Sequence, residues 1–560
     1  LLLLRGLVDE TTKRGDAFGP LPSAESAWEL LARAQHRAPD AVEILLAHPY
    51  TGSWAGYTTR LLHQQVSGTS PLWVHIGHIH CIAAAAAIRA GLGFETAIPL
   101  WQGDASLPTL GAAHLTTDEP FATATVRSDG DQVFVENDDS RVRLPRDWSV
   151  DRPGWSGLRQ AAAWSGEHRL VVRLDDLDPY RGLYQPVPPR RLTAAEAESW
   201  RTTLEDAWRL LVAHIPEVAE AMAEGLDSIV PAPAVPFRLP SASTGEAFGS
   251  AIIAHPSEPA VLAAALVHEF QHIRLGGIQH LVRLSEDDKR QRIYAPWRDD
   301  PRPIAGVIHG IFAFFGVTLF WRAKAQATPE DRLAAFEFAL WRTETWRTLQ
   351  SIRRDAALTS AGRRLLDGVA ERLGPWQHEP VDRRAAEWAA LVAADHLAGW
   401  RARHLRADPD TITRLSDAWR AGETRPWRTP DPGVPTPVPD GSWPDARADL
   451  IRLTLGEGEA GLDADWQSVP GSLRADYDLA AHRSDAAVAG YRRELTTDPD
   501  NPSALVGLGL ALTQRGANAA GRTLLHHPEL VRALHRSLRT EPGAGPSPEA
   551  LAGWLGRFTH

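Results

Sequence analysis

His268, Glu269 and His272, within Leu262 to Gly277 (L-A-A-A-L-V-H-E-F-Q-H-I-R-L-G-G), spell H-E-x-x-H. Two histidines and a carboxylate at that spacing suit a metal ion. On an α-helix, residues four apart are offset by about 6 Å along the axis on nearly one face, so both imidazoles can reach one ion. Glu269 is rotated away from them, where its carboxylate can touch a metal-bound water or a neighbouring ligand.

The surrounding residues predict the helix. Ser257-Glu258-Pro259 offers a cap and an early Pro, Leu262, Leu266 and Ile273 share a face, and Gly276-Gly277 marks a stop. The bland alternative is a chance H-E-x-x-H on a solvated helix. So Ala- and Leu-rich a helix cannot be solvated all round, and its His and Glu must be satisfied in a mostly buried setting.

H-E-x-x-H supplies two ligands, and a catalytic site needs a third. The short metzincin continuation fails, because Gly276 and His280 come one and two positions late. Candidates further on are His309, Glu337 and Glu344. His309 stands in Ile304 to Trp321, 18 residues without a formal charge and at the lower limit for a membrane span. A central histidine and interspersed glycines favour a helix buried in protein instead, where the imidazole needs a partner.

Composition bounds the rest. At 560 residues and 43% hydrophobic content the chain can fill two to four cores, and a net charge of −11 argues against a general nucleic-acid binder. With Cys81 alone, neither an internal disulfide nor a Cys-based zinc site can form, which permits a reducing compartment. Basic charge is almost all arginine. The opening L-L-L-L-R-G has no Met, and four leucines do not make a signal peptide's apolar region.

Along the chain, residues 1 to about 90 read as helical, with His75, His78 and His80 placed just before the Ala-rich Ile82 to Ala90. Their spacing does not put all three on one helical or strand face, which favours core or turn histidines over a second metal site. Strands follow at Glu95 to Trp101, Phe121 to Val126, Gln132 to Glu136, Arg141 to Leu144 and Leu170 to Leu174, with Ser128-Asp129-Gly130-Asp131 as a hairpin. Asp175-Asp176-Leu177-Asp178 reads as a solvated turn. A capping box at Thr193 and Glu196 starts a long helix. Ser241-Ala242-Ser243-Thr244 and a strand from Phe248 to Ala254 precede the H-E-x-x-H helix, the place where zinc-protease-like folds hold an extended peptide by strand addition.

Tyr294-Ala-Pro-Trp297-Arg298-Asp-Asp-Pro-Arg302-Pro leads into the His309 helix, and amphipathic helices follow at Pro329 to Gln350, Ser360 to Leu373 and Arg383 to Arg406. Arg425 to Pro444 carries seven prolines and reads as a linker. Ser484 to Thr496, a turn at Asp498 to Pro502, and Ser503 to Gln514 resemble one tetratricopeptide-type pair. The expected fold is α+β: a mixed α/β region at 1–235, a zincin-like, helix-rich metal core at 236–424, the linker at 425–444, and an all-α TPR-like region at 445–560.

Val267 to Gly276, Y-A-P-W-R-D-D-P-R-P and I-H-G-I-F-A-F-F-G-V together resemble the H-E-x-x-H-type, 2-oxoglutarate-dependent peptide β-hydroxylases of bacterial ribosomal-peptide biosynthesis clusters. The resemblance covers roughly residues 1 to 420 and is strongest from 241 to 325. It implies Fe(II) on His268, His272 and His309, 2-oxoglutarate as co-substrate, and O2-driven hydroxylation of a side-chain β-carbon in a precursor peptide. It also implies a cytoplasmic enzyme that works beside other peptide-modifying enzymes, with no nucleic-acid or membrane partner.

The distal carboxylate of 2-oxoglutarate needs a bidentate cation, which Arg298 or Arg302 can supply, with Tyr294 and Trp297 beside them. Without the resemblance, the residues favour a zinc metallopeptidase with Glu269 as general base, since neutral imidazoles suit Zn(II) and Fe(II) alike. Three histidines also depart from the usual two-histidine, one-carboxylate iron set, which leaves Glu269, Glu337 or Glu344 as a fourth contact. A domain that only binds a peptide or a partner enzyme is the remaining alternative.

Overall fold

A computed structural model describes residues 5, 6, 9, 17–424, 433–516, 518–539 and 545–556. The chain is of mixed α+β class and divides into two compact units, Leu1–Ile278 and Gln279–His560.

The first unit opens with helices α1 (Ala24–Arg37), α2 (Pro39–Ala47), α3 (Pro49–Leu62) and α4 (Leu72–Arg89). Strands β1 (Gly93–Trp101), β2 (Asp104–Leu107), β3 (Gly111–His114), β4 (Phe121–Asp129), β5 (Val133–Glu136), β6 (Arg141–Arg143) and β7 (Trp155–Gly157) follow. They form an antiparallel sheet in the order β6-β5-β4-β1-β2-β3-β7. One continuous core joins α1 to α4 with this sheet, from Leu30 and Trp54 through Ala83 to Ile98, Leu107 and Trp155.

A second sheet comprises β8 (Arg159–Ser165), β9 (His168–Leu174), β10 (Ser228–Ala232), β11 (Ser241–Ala242) and β12 (Ser250–Ala254), ordered β11-β12-β10-β9-β8. Helices α5 (Ala194–His214) and α6 (Pro216–Gly225) lie between β9 and β10 in sequence, and α7 (Pro259–Leu281) follows β12. The Thr193 and Glu196 capping box starts α5 as expected. The β4–β5 hairpin closes at Asp129 to Gln132, with Gly130 at φ +102°.

Two expectations need correction, and one holds in part. His75, His78 and His80 are core histidines, as expected, but they sit inside α4 and not before it, because the apolar run starts at Leu72 and carries them into the core. Burial pulls each imidazole down to about 4, so all three are neutral. The Asp175 to Asp178 turn is buried as well. Its carboxylates are held by protein donors in place of water: Asp175 accepts the N–H groups of Leu177 (3.1 Å) and Asp178 (2.8 Å), and Asp176 accepts from Arg191 (2.9 Å) and the Leu192 N–H (2.7 Å). Helix α7 does not stop at Gly276-Gly277 but continues to Leu281. The Phe248 ring lies against Gly277, close enough that a Cβ there would sit 3.3 Å from it, so this glycine admits a neighbour instead of ending the helix.

The second unit is predominantly helical: α8 (Ile304–Ala327), α9 (Arg332–Ile352), α10 (Ser360–Trp376), α11 (Arg383–His404) and α12 (Pro409–Arg420), then α13 (Ala446–Asp465) to α19 (Pro548–Leu555). Of the Pro-rich stretch, 425–432 lies outside the described residues, and Val434–Pro435 pairs with Leu405–Arg406. The expected helical pair is Ser484–Thr497 and Pro502–Arg515, in one apolar cluster with α11, α12 and the last helices. Leu72–Arg89 and Ile304–Ala327 are long and apolar enough to cross a membrane, and both are mostly buried in the protein.

Candidate metal site and its surroundings

Helix α7 begins at Pro259 and turns Leu262, Ala263, Leu266, Val267, Phe270, Ile273 and Leu275 into protein. The same periodicity sets His268 and His272 side by side, with ring planes at 81° and centroids 4.7 Å apart. Their Nε2 atoms are 3.1 Å apart. Two imidazole nitrogens each about 2.1 Å from one ion are about 3.0 Å apart at a right angle and about 3.4 Å apart at a tetrahedral angle, so the pair fits a shared metal. Burial pulls His268 down to about 4, which keeps it in the neutral form a metal requires.

Glu269 points to the same end of the helix. Its Oε1 lies 3.9 Å from His268 Nε2 and accepts the Ser241 hydroxyl at 2.6 Å, while Oε2 is buried with no hydrogen-bond partner. Burial raises the carboxyl above its ordinary value, against the pull of Ser241 and Ser243. A buried carboxylate next to the His268 imidazole, with one oxygen lacking a hydrogen-bond partner, fits a group that could meet an ion or a metal-bound molecule. Ser241 belongs to β11, the edge strand of the second sheet, so the edge and the helix carboxylate are tied by one hydrogen bond.

The remaining expected residues lie in the second unit. His309 Nε2 is 2.7 Å from Gln279 Oε1. With that oxygen as acceptor the ring proton sits on Nε2, and Nδ1 is the nitrogen that carries the lone pair. Burial lowers His309 too. Gln279 is seven residues beyond His272 on α7, two turns along the same face. Among the described residues, no group of three or more His, Cys, Asp or Glu side chains gathers where it could hold a metal ion.

Residues 293–302 form a hairpin closed by reciprocal backbone bonds between Ile293 and Arg302 (3.1 and 2.8 Å). Trp297 stacks on Phe314 at 4.8 Å and covers Gly310, where a Cβ would come within 2.2 Å of the indole. That close approach requires glycine beside His309. Tyr294 shares a 2.9 Å hydrogen bond with His396 Nδ1. Arg298 Nε and Arg302 Nη1 both donate to Asp300, at 3.2 and 2.9 Å, and their charge holds Asp300 below its ordinary value. A ligand carboxylate at these arginines would therefore compete with Asp300.

Of the other carboxylates considered, Glu337 accepts from Arg452 (2.6 Å) and Trp341 (2.7 Å). Glu344 is buried and raised to about 7, with Arg347 at 2.8 Å. Sequence reasoning missed Gln279, His396 and Asp300 as partners. Gln279 was within reach once α7 is extended past Gly277, since it completes the His268 and His272 face. Neither a family model nor a curated protein matches this chain.

Proposed function

We propose that this chain is an Fe(II)- and 2-oxoglutarate-dependent hydroxylase acting on a side-chain β-carbon of a ribosomally made precursor peptide. The facing Nε2 atoms of His268 and His272 at 3.1 Å carry the metal part of this reading. His309 is proposed as the third ligand, its tautomer set by Gln279. When bound, the iron and 2-oxoglutarate would supply the oxidation of an unactivated C–H bond.

The chain's own residues do the rest. Ser241 orients the Glu269 carboxylate beside the histidine pair. Arg298 or Arg302, exchanging Asp300 for the co-substrate's distal carboxylate, would anchor it by charge and paired hydrogen bonds. The substrate would add as a strand to the edge of β11, which runs it past Glu269 and the histidines. In this reading the metal core is zincin-like and the C-terminal helices are a TPR-like platform for the peptide or for companion enzymes.

Zinc-dependent peptide hydrolysis is the second reading. The raised Glu269 with its unpartnered Oε2 favours it, since a general base works best with a pKa shifted toward neutrality. Mass spectrometry of the product peptide separates the two. A gain of one oxygen that requires Fe(II), O2 and 2-oxoglutarate supports hydroxylation, whereas two shorter fragments formed without 2-oxoglutarate establish the peptidase.

A further inference from the structure

We infer that Asp104, His114 and Ser156 form a second reactive site in the first unit, where Ser156 takes an acyl group from an activated ester and passes it to water. The site is assembled by strand register. Asp104 of β2 lies directly opposite His114 of β3, and Ala112 of β3 lies directly opposite both Ser106 and Ser156. Side chains two apart on a strand share a face, so Asp104, Ser106, Ala112, His114 and Ser156 all stand on one side of the sheet. Ala105, Leu107, Ala113 and Trp155 take the other side, in the hydrophobic core.

On that face the three polar groups form an ordered chain. His114 Nδ1 is in direct contact with Asp104 Oδ1, and His114 Nε2 is 2.7 Å from Ser156 Oγ. An ionised carboxylate only accepts, so the ring proton sits on Nδ1 and the bare Nε2 accepts the serine O–H. A nucleophile bonded to a base that a third group orients is the arrangement acyl transfer needs, on whatever fold it occurs. The His114 side chain is 42% exposed, so the base is reached from solvent.

The serine is held in place. Gly157, next to it, donates its N–H to Asp151 at 3.0 Å, and a Cβ there would come 2.4 Å from the Trp148 carbonyl oxygen. Asp151 is itself paired with Arg191 and Arg159.

In the reaction, Ser156 Oγ bonds to the acyl carbon as its proton moves to His114 Nε2. The ester C–O bond breaks and the leaving alkoxide takes that proton from Nε2. Water then adds to the acyl-serine with its proton passing to Nε2, and the acid leaves as Ser156 recovers the proton. Asp104 keeps the ring oriented and stabilises its charged form. None of the metal-site residues takes part.

The test uses the full chain and a fluorophosphonate with short alkyl groups, read by intact mass and peptide mapping. One adduct per chain on Ser156 is expected in the unmodified protein, absent in Ser156→Ala. Loss of the base should slow labelling by about 100-fold or more in His114→Gln, with Asp104→Asn slowed as well. p-Nitrophenyl acetate should be hydrolysed above the buffer rate, and Ser156→Ala should abolish the excess. No adduct, an adduct on another residue, or labelling that His114→Gln leaves unchanged would overturn the inference. Mapping on the unmodified protein decides this even where a variant does not fold.

Discussion

The histidine pair on α7 and the Asp104, His114 and Ser156 chain are built in opposite ways. The pair comes from one helix, whose turn places residues four apart together wherever the helix forms. The chain comes from three strands, and its members meet only because β2, β3 and β7 pair in one register. A one-residue slip would send every side chain of a strand to the other face. A helix-built site thus survives changes in its surroundings that would disperse a strand-built one.

The largest effect should come from the pair itself. His268→Ala or His272→Ala should remove most of the bound metal, measured by elemental analysis after loading with Fe(II) or Zn(II), while His114→Gln leaves metal content unchanged. Equal loss in all three variants would mean the two regions are not independent.

Next is a change that attacks only strand pairing. Gly111 of β3 has φ +150°, and a Cβ there would come 2.2 Å from the Ser156 carbonyl oxygen. Gly111→Ala should cost about 1–3 kcal/mol in denaturant unfolding and slow Ser156 labelling, with metal loading per folded molecule preserved. Unchanged stability would show that β7 can move aside freely.

Acid should act through the histidines of α4. The folded pKa values of His75, His78 and His80, about 4, lie below the unfolded value of 6.5, so the unfolded chain binds more protons between these limits. Stability is therefore full above pH 6.5 and falls as pH drops toward 4. At pH 5 each such group should cost on the order of 2 kcal/mol relative to pH 7. Asp175, raised to about 6 by burial and by Asp178, works against this trend in the same unit. His80→Asn should remove one share of the loss, seen as a smaller gap between urea midpoints at pH 7 and pH 5. An identical gap would mean that His80 is protonated when folded.

The smallest effect concerns the proposed third ligand. Gln279→Leu removes the acceptor on His309 Nε2 and should weaken metal binding about tenfold, about 1.4 kcal/mol, in a chelator competition. No change would argue against His309 as a ligand.

Much of this was legible in the chain because it is local. The α7 helix follows from Leu262, Leu266 and Ile273 recurring at helical spacing, the α5 start from Thr193 and Glu196, and the β4–β5 turn from Asp129-Gly130. Each depends on residues within a turn or two of one another. Strands β2, β3 and β7 were not legible. They are three or four residues long and rich in Ala and Gly, so their own sequence carries little alternation and only pairing makes them strands.

The sequence alone determined which residue types stand at i and i+4 on α7, and with them that the His268 and His272 rings lie side by side. It also determined that the uncharged run around His309 would form a mostly buried helix. Tertiary structure decided what those groups face. It set Ser241 on Glu269, Gln279 on His309 and Asp300 on both Arg298 and Arg302, and it turned the supposedly solvated Asp175 to Asp178 turn into a buried network. The physical reason is range. Helical periodicity acts over a few residues, whereas partners such as Asp104 and Ser156 are 52 positions apart in sequence and are joined only when the sheet closes between them.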